Sequence, residues 1–406
     1  MVPVTETTVR PVCAAPRLEN VRYAIRDLAV LADEVAKSGK KILPLNIGDP
    51  LKFDFATPPH MIEAVYKAMR EGQNGYAASS GLAEAVKAIH GEAERKGIRN
   101  VQDVFVTSGV SECVDICMAA LLGKGETVLT PSPEYPLYSA VLCKLEAPLC
   151  PYDLDESQGW APDIEELERK ITPKTRGIVV INPNNPTGAL YPRETLLKII
   201  DLARRHNLVI FADEIYDKMS FDAKQPHVPL ASLASDVTIV TFGGLSKSYL
   251  APGWRIGWGI VSGDPNCSKA YVEGINKLLR ARICASFPMQ WAIKPALEGP
   301  QDHLKVVNEK LLRRRDITME WVKSDPRVSC VSPEGAFYAF PRIEIPEDDF
   351  SFVKKLLANT GVLVVHGSGF GQKPGTKHFR AVFLPDEETL RRAYGAISEF
   401  MREEYR

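Results

Sequence analysis

The stretch Thr241–Trp258, TFGGLSKSYLAPGWRIGW, sets one lysine, Lys247, between an apolar run and a glycine-punctuated turn. Val237–Phe242 is short, apolar and β-branched, the pattern of a buried strand, and Gly243–Gly244 is expected to end it where a backbone turns or approaches a ligand. Lys247 then falls on a strand-end loop. Open α/β sheets bind ligands at strand carboxyl ends, and Ser246, Lys247 and Arg255 bring a hydroxyl and two cations there, a grouping that suits a phosphate. Taken alone, Lys247 is also one of 50 Lys and Arg residues whose default place is a solvated surface.

The same strand-then-polar-turn pattern recurs toward the N-terminus. Leu208–Ala212 is apolar and is followed by Asp213-Glu214-Ile215-Tyr216. A carboxylate at the end of a buried strand is costly unless a cation or donor meets it, and an N-cap role competes for Asp213. Gly177–Asn182 runs into the rigid turn Pro183-Asn184-Asn185-Pro186-Thr187-Gly188, which could equally be a plain connection to the helix expected over Arg193–His206. Val101–Thr107 reads as a strand, and Ser108-Gly109-Val110-Ser111-Glu112 opens a helix with an apolar face at Val114, Met118, Leu121 and Leu122. Such a junction aims free amides and the positive dipole end at one spot, although an N-cap by Ser108 or Ser111 accounts for the same residues. Thr127–Thr130 is the next strand, and the prolines of Pro131–Tyr138 stiffen a loop carrying Tyr135 and Tyr138, either of which can stack on a planar ligand or simply pack.

Farther out the pattern changes. Tyr23–Lys41 is helical, with Leu28, Leu31 and Val35 on one face and Gly39 as the stop. In Ile42–Pro50, Gly48 can bring the backbone close to a substrate or serve as a turn glycine. His60–Glu71 and Leu82–Lys96 read as helices, and the loop Gly72–Tyr76 presents a phenol. Cys267–Cys284 and Trp291–Lys323 read as long helices, and the tail alternates short strands and helices, as in a smaller α+β domain. Arg380, within FRAVFL, needs an anionic partner if buried and none at an exposed edge.

Composition sets the outer limits. At 406 residues the chain exceeds one hydrophobic core, and 45% hydrophobic with 25% charged residues is ordinary for a globular protein. A net charge of -1 gives no electrostatic footprint for nucleic acid or an acidic membrane. The eight cysteines are scattered without C-x-x-C or a nearby histidine pair, so no metal is expected and a reducing compartment is. No signal-like core and no run of about 18 apolar residues occurs, which points to the cytoplasm.

An anion cradle, a planar-ring clamp, a carboxylate, a phenol and a lysine on successive strand ends match what pyridoxal 5′-phosphate requires. With NPNNPTG, ADEIY and SKSYLAPGWRIGW in this order, the chain resembles the fold-type I pyridoxal-phosphate aminotransferases of the aspartate aminotransferase superfamily over roughly residues 20 to 405. The resemblance implies an α/β fold: a large domain with a mostly parallel, seven-stranded type of sheet flanked by helices, and a smaller α+β domain built from both chain ends. On this chain it implies an arm over residues 1–20, a small domain over 21–55 and 291–406, and a cofactor-binding domain over 56–290.

It also implies roles. Lys247 carries the cofactor as a Schiff base and shuttles a proton, and Asp213 pairs with the ring nitrogen. Asn185 and Tyr216 bond the phenolate oxygen, and Tyr135 stacks on the ring. The Val110 and Ser111 amides, Ser246 and Arg255 hold the phosphate, with Tyr76 reaching it from the other subunit of a homodimer. Arg380 grips the substrate carboxylate, assisted by Asn185 and Gly48. Arg22–Arg26 (RYAIR), LNIGDP, SGVSE and NPNNPTGALY look most like bacterial and archaeal alanine aminotransferases, which puts Tyr23 and Arg26 over the substrate. The activity implied is transfer between L-alanine and 2-oxoglutarate. Aspartate, aromatic or methionine donors, or C–S lyase chemistry, are the alternatives, with Arg280 or Arg282 open as contacts for a distal carboxylate. A ligand-sensing regulator would need a DNA-binding domain, for which about 20 residues before Tyr23 leave no room.

Overall fold

The computed structural model describes residues 11–21, 24–221 and 226–405. Its largest sheet has eight strands: β1 (Val101–Thr107), β2 (Thr127–Ser132), β3 (Cys150–Asp155), β4 (Ala161–Pro162), β5 (Thr175–Ile181), β6 (Val209–Asp213), β7 (Ile239–Gly244) and β8 (Gly257–Ser262). They lie in the order β1-β8-β7-β6-β5-β2-β3-β4. Neighbours from β7 through β3 are parallel, β8 runs antiparallel to both β7 and β1, and the two-residue β4 adds an antiparallel edge to the seven strands expected. Strands β1, β5, β6 and β7 therefore end at the same edge of the sheet.

Burial on both faces explains why these strands read as unbroken apolar runs. Ile178 and Val180 of β5 join one core while Val179 and Ile181 join the other, and Ile210 and Phe211 of β6 divide the same way. Alternation at period 2 places successive side chains on opposite faces, where helices cover them. Truncating one such residue, as in Phe211→Ala, costs about 3–5 kcal/mol.

A third core gathers Leu28, Leu43, Leu45 and Phe55 with residues from 307 to 401. Here Leu43–Pro44 pairs in parallel with Val362–Leu363, joining the two ends of the chain. The helices α1 (Ala24–Lys37) and α5 (Asp302–Ser324) belong to this part, as does a three-stranded sheet in which Phe379–Val382 lies between Tyr338–Ala339 and Val365–His366. Two further helices position the site: α3 (Val110–Leu121) and α4 (Leu137–Lys144). On the outer surface lies α2 (Pro59–Arg70).

Gly243 and Gly244 close β7 as expected, paired with Trp258 and Gly257 in its last two positions, where a Cβ at Gly243 would strike the Trp258 indole and one at Gly244 the Ile256 carbonyl. Two readings need correction. The helix expected over Trp291–Lys323 is broken into Ile293–Glu298 and α5. Pro300 drives Gly299 to an extended ψ of -170°. The loop expected through Tyr138 stops at Pro136, where α4 begins.

Candidate active site

A cavity of about 370 Å³ opens where β1, β5, β6 and β7 end. Val110 and Ser111 line it from the first turn of α3, Asp213 and Tyr216 from the end of β6, Ser246 and Lys247 from the end of β7, and Arg255 from the turn before β8. Gly48, Tyr135, Asn185 and Arg380 complete the wall.

The Lys247 Nζ donates to the Gly48 carbonyl oxygen at 2.7 Å. Burial, reinforced by the positive charges of Arg380 and Arg255, lowers its pKa to about 8, against the opposing pull of Asp49 and Asp213. A lysine tuned this way keeps a substantial neutral fraction near neutral pH, as a nucleophile or base requires. Asp213 is buried, and burial raises its carboxyl above the ordinary range. Against this, Oδ2 accepts the Tyr138 hydroxyl at 2.7 Å and Oδ1 accepts the Ile215 amide at 3.3 Å. The second bond is a turn contact and not the N-cap anticipated as a competing role, since no helix starts directly after Asp213 among the described residues.

Arg380 is 1% exposed, so the edge alternative for its strand does not hold. Its guanidinium donates to Asn185 Oδ1 at 3.0 Å and to the Asn46 carbonyl at 2.6 Å, sandwiched between the rings of Tyr338 and Phe370 at 4.6 and 4.7 Å. Tyr216 meets the Tyr338 hydroxyl at 2.8 Å. Gly48 is more than a turn residue, since a Cβ there would press on the Tyr338 hydroxyl and the Phe337 ring.

At the start of α3, Gly109 has φ 80° and no room for a side chain, because its Cβ would collide with the Arg255 guanidinium. Gly257 is equally constrained, since a Cβ would meet the Val110 nitrogen. Arg255, itself left-handed at φ 54° and donating Nη1 to the Pro252 carbonyl at 3.0 Å, lines the same cavity as Val110 and Ser111, whose amides at the start of α3 have no intrahelical partner. A cation beside a helix N-terminus, with Ser246 on the same cavity wall, makes an anion cradle.

Other expected residues lie elsewhere. Tyr76 is 82% exposed and absent from the cavity wall. Tyr23 lies outside the described residues, as does the side chain of Arg26 in α1. Arg282 is engaged locally, donating to the carbonyls of Val106 at 2.7 Å and Ser79 at 3.3 Å, and Arg280 is exposed at the end of its helix. Of the two loop tyrosines only Tyr135 lines the cavity, and Tyr138 sits behind it on Asp213. Tyr338 also lines the cavity, and an aromatic in an apolar strand carries no local sign that it does so. Asn46 contributes through its backbone, which no side-chain pattern reveals.

The chain belongs to the class I and II aminotransferases, whose family model matches residues 40–397. It is 40% identical over 400 residues to the glutamate-pyruvate aminotransferase AlaA of Escherichia coli (strain K12), covering 96% of this chain and 98% of the relative. The alanine aminotransferase of Mycobacterium tuberculosis (strain ATCC 25618 / H37Rv) is 40% identical over 403 residues, covering 97% and 93%. The solved structure of the alanine aminotransferase from Pyrococcus furiosus superposes with a TM-score of 0.93 at 42% identity, covering 96% of this chain and all (100%) of that one.

The family depends on pyridoxal 5′-phosphate. The residues present fit this group: the cradle supplies a cation and amides for a phosphate, Asp213 a buried carboxylate, and Lys247 an amine of lowered pKa. The cavity volume is within the range of about 300–1,000 Å³ typical of small-molecule sites. Among the described residues no group of His, Cys, Asp and Glu could hold a metal, and no helix is long and apolar enough to cross a membrane.

Proposed function

We propose that this chain transfers an amino group between L-alanine and 2-oxoglutarate, yielding pyruvate and L-glutamate. The observation that carries this reading is the gathering of Lys247, Asp213, Asn185 and Arg380 around one cavity, in a chain whose full-length relatives bear the names of alanine and glutamate-pyruvate aminotransferases.

Lys247 would hold the cofactor covalently and Asp213 would hold its ring nitrogen, with Tyr135 against the ring. Asn185 and Tyr216 would bond its phenolate oxygen. Its phosphate would rest on the Val110 and Ser111 amides, Ser246 and Arg255. When bound, pyridoxal phosphate supplies an electron sink for the pair left on the substrate Cα as its proton departs. Arg380 binds the substrate carboxylate as a planar fork, its position set by Asn185, the Asn46 carbonyl and the two flanking rings. Once the substrate amine has displaced it from the covalent link, Lys247 Nζ takes the Cα proton and would deliver it to the cofactor carbon of that link rather than back to Cα. The Gly48 carbonyl lies within hydrogen-bond reach of that nitrogen and orients it.

In the same reading, residues 21–55 and 291–406 form a small domain that closes on 56–290, and 1–20 form an arm. Two copies associate as a homodimer, supported by the exposed Ile62, Tyr66 and Met69 of α2 and by the exposed Tyr76 and Ile283. Tyr76 of a second subunit then reaches the phosphate, and Tyr23 and Arg26 cover the substrate. The compartment is the cytoplasm, in keeping with eight cysteines scattered without a C-x-x-C.

The test is direct. Supplied with L-alanine and 2-oxoglutarate, the purified protein forms pyruvate. No pyruvate, with good turnover of an aspartate, aromatic or methionine donor, contradicts the alanine assignment. Ammonia and pyruvate released from cystathionine without an oxo acid indicate a C–S lyase.

A further inference from the structure

We infer that Tyr138 is a positioning residue for the transamination: by donating its hydroxyl to Asp213 it keeps that side chain a carboxylate, and so keeps the ring nitrogen of the bound cofactor protonated. The inference rests on the proposed role of Asp213.

Tyr138 stands on the first turn of α4, fully buried, with its ring in the core formed by α3 and one face of the sheet. Its hydroxyl lies 2.7 Å from Asp213 Oδ2 and is absent from the cavity wall, so it touches neither substrate nor cofactor. A buried carboxylate without donors neutralises itself by taking a proton. At this site the nearest proton to take is that of the ring nitrogen, and a ring that surrenders it becomes a weaker electron sink. The Tyr138 bond opposes that transfer by stabilising the anion.

The direction of the bond is fixed. Burial and the Asp213 charge push the phenol well above its ordinary pKa, so Tyr138 remains a donor throughout the working pH range. The other groups near the pair are Lys247, Glu214 and Tyr216 around Asp213, and Cys113 and Tyr135 around Tyr138. Of these titratable groups only Lys247 assists the anion, by its charge, and the Ile215 amide is the second donor, to Oδ1 at the longer distance of 3.3 Å.

The experiment uses the holoenzyme and the Tyr138→Phe variant, which keeps the ring and removes only the oxygen. Three quantities are read: the pH midpoint of the visible absorption of bound cofactor, kcat, and KM for alanine. A ring that loses positive charge leaves the nitrogen of the covalent link more basic, so the midpoint rises. Loss of one hydrogen bond to a charged group lowers kcat by about 10- to 100-fold, with KM changing far less. Site-specific fluorotyrosine at position 138, a stronger donor, moves the midpoint down without altering the packing. In an Asp213→Asn background the effect of Tyr138→Phe disappears.

An unchanged midpoint and kcat in Tyr138→Phe, even with reduced thermal stability, overturn the inference and leave Tyr138 as packing. If Asp213→Asn itself leaves the midpoint unmoved, the role of Asp213 fails and this inference with it. If Asp213→Asn shifts the midpoint and Tyr138→Phe does not, only Tyr138 is misassigned.

Discussion

Arg380 Nη1 lies 3.0 Å from Asn185 Oδ1, which joins the strand Phe379–Val382 of the third core to the turn after β5. A guanidinium held in this way presents a fixed fork, and a lysine cannot reproduce it. Arg380→Lys is therefore expected to retain cofactor while weakening both alanine and 2-oxoglutarate. Losing one charge-assisted bond raises each KM by about 10- to 100-fold. Steady-state kinetics with both substrates check this, and unchanged KM values would remove Arg380 from substrate binding.

Gly109 tests the anion cradle separately. A methyl group there meets the Arg255 guanidinium and forces a side chain into φ 80°. Gly109→Ala should cost about 1 kcal/mol or more in stability from the backbone alone. Displacing Arg255 should also weaken pyridoxal phosphate by about 10-fold or more. Equilibrium dialysis reads the second effect, and wild-type affinity would show that Arg255 does not hold the phosphate.

Lys247 makes stability depend on pH in a defined window. Its folded pKa of about 8 is depressed from the ordinary lysine value of 10.5, so between these values the unfolded chain binds more protons than the folded one. Stability of the cofactor-free chain contributed by this group thus rises with pH across the window and is lost as pH falls through about 8. Cofactor-free Lys247→Met is expected to exceed the wild type below the window by roughly 3 kcal/mol at most, with the difference closing above it. Denaturant unfolding at several pH values measures this, and a pH-independent difference would mean that Lys247 is not desolvated.

Much of this arrangement is legible in the sequence because buried parallel strands leave unbroken apolar runs, and ligand groups follow them at strand ends. Val101–Thr107 coincides with β1, and Asp213, Asn185 and Lys247 each follow such a run. Residues that act across the fold are not legible in this way. Tyr138 hides behind a proline-rich segment that masks the start of α4, and Tyr338 looks like core until Arg380 is found against its ring. The acceptors of Arg282 lie far away in sequence, so its local role has no signal beside it. The break at Gly299-Pro300 was visible in the chain, and apolar periodicity on both sides concealed it.

The central claim is that Lys247 is the amine that holds pyridoxal phosphate. Borohydride reduction of the holoenzyme followed by peptide mass spectrometry tests it most directly. The expected result is a phosphopyridoxyl group on Lys247, absent from Lys247→Ala together with transamination. A stable adduct on another lysine, or a Lys247→Ala variant with the wild-type adduct and rate, would contradict it.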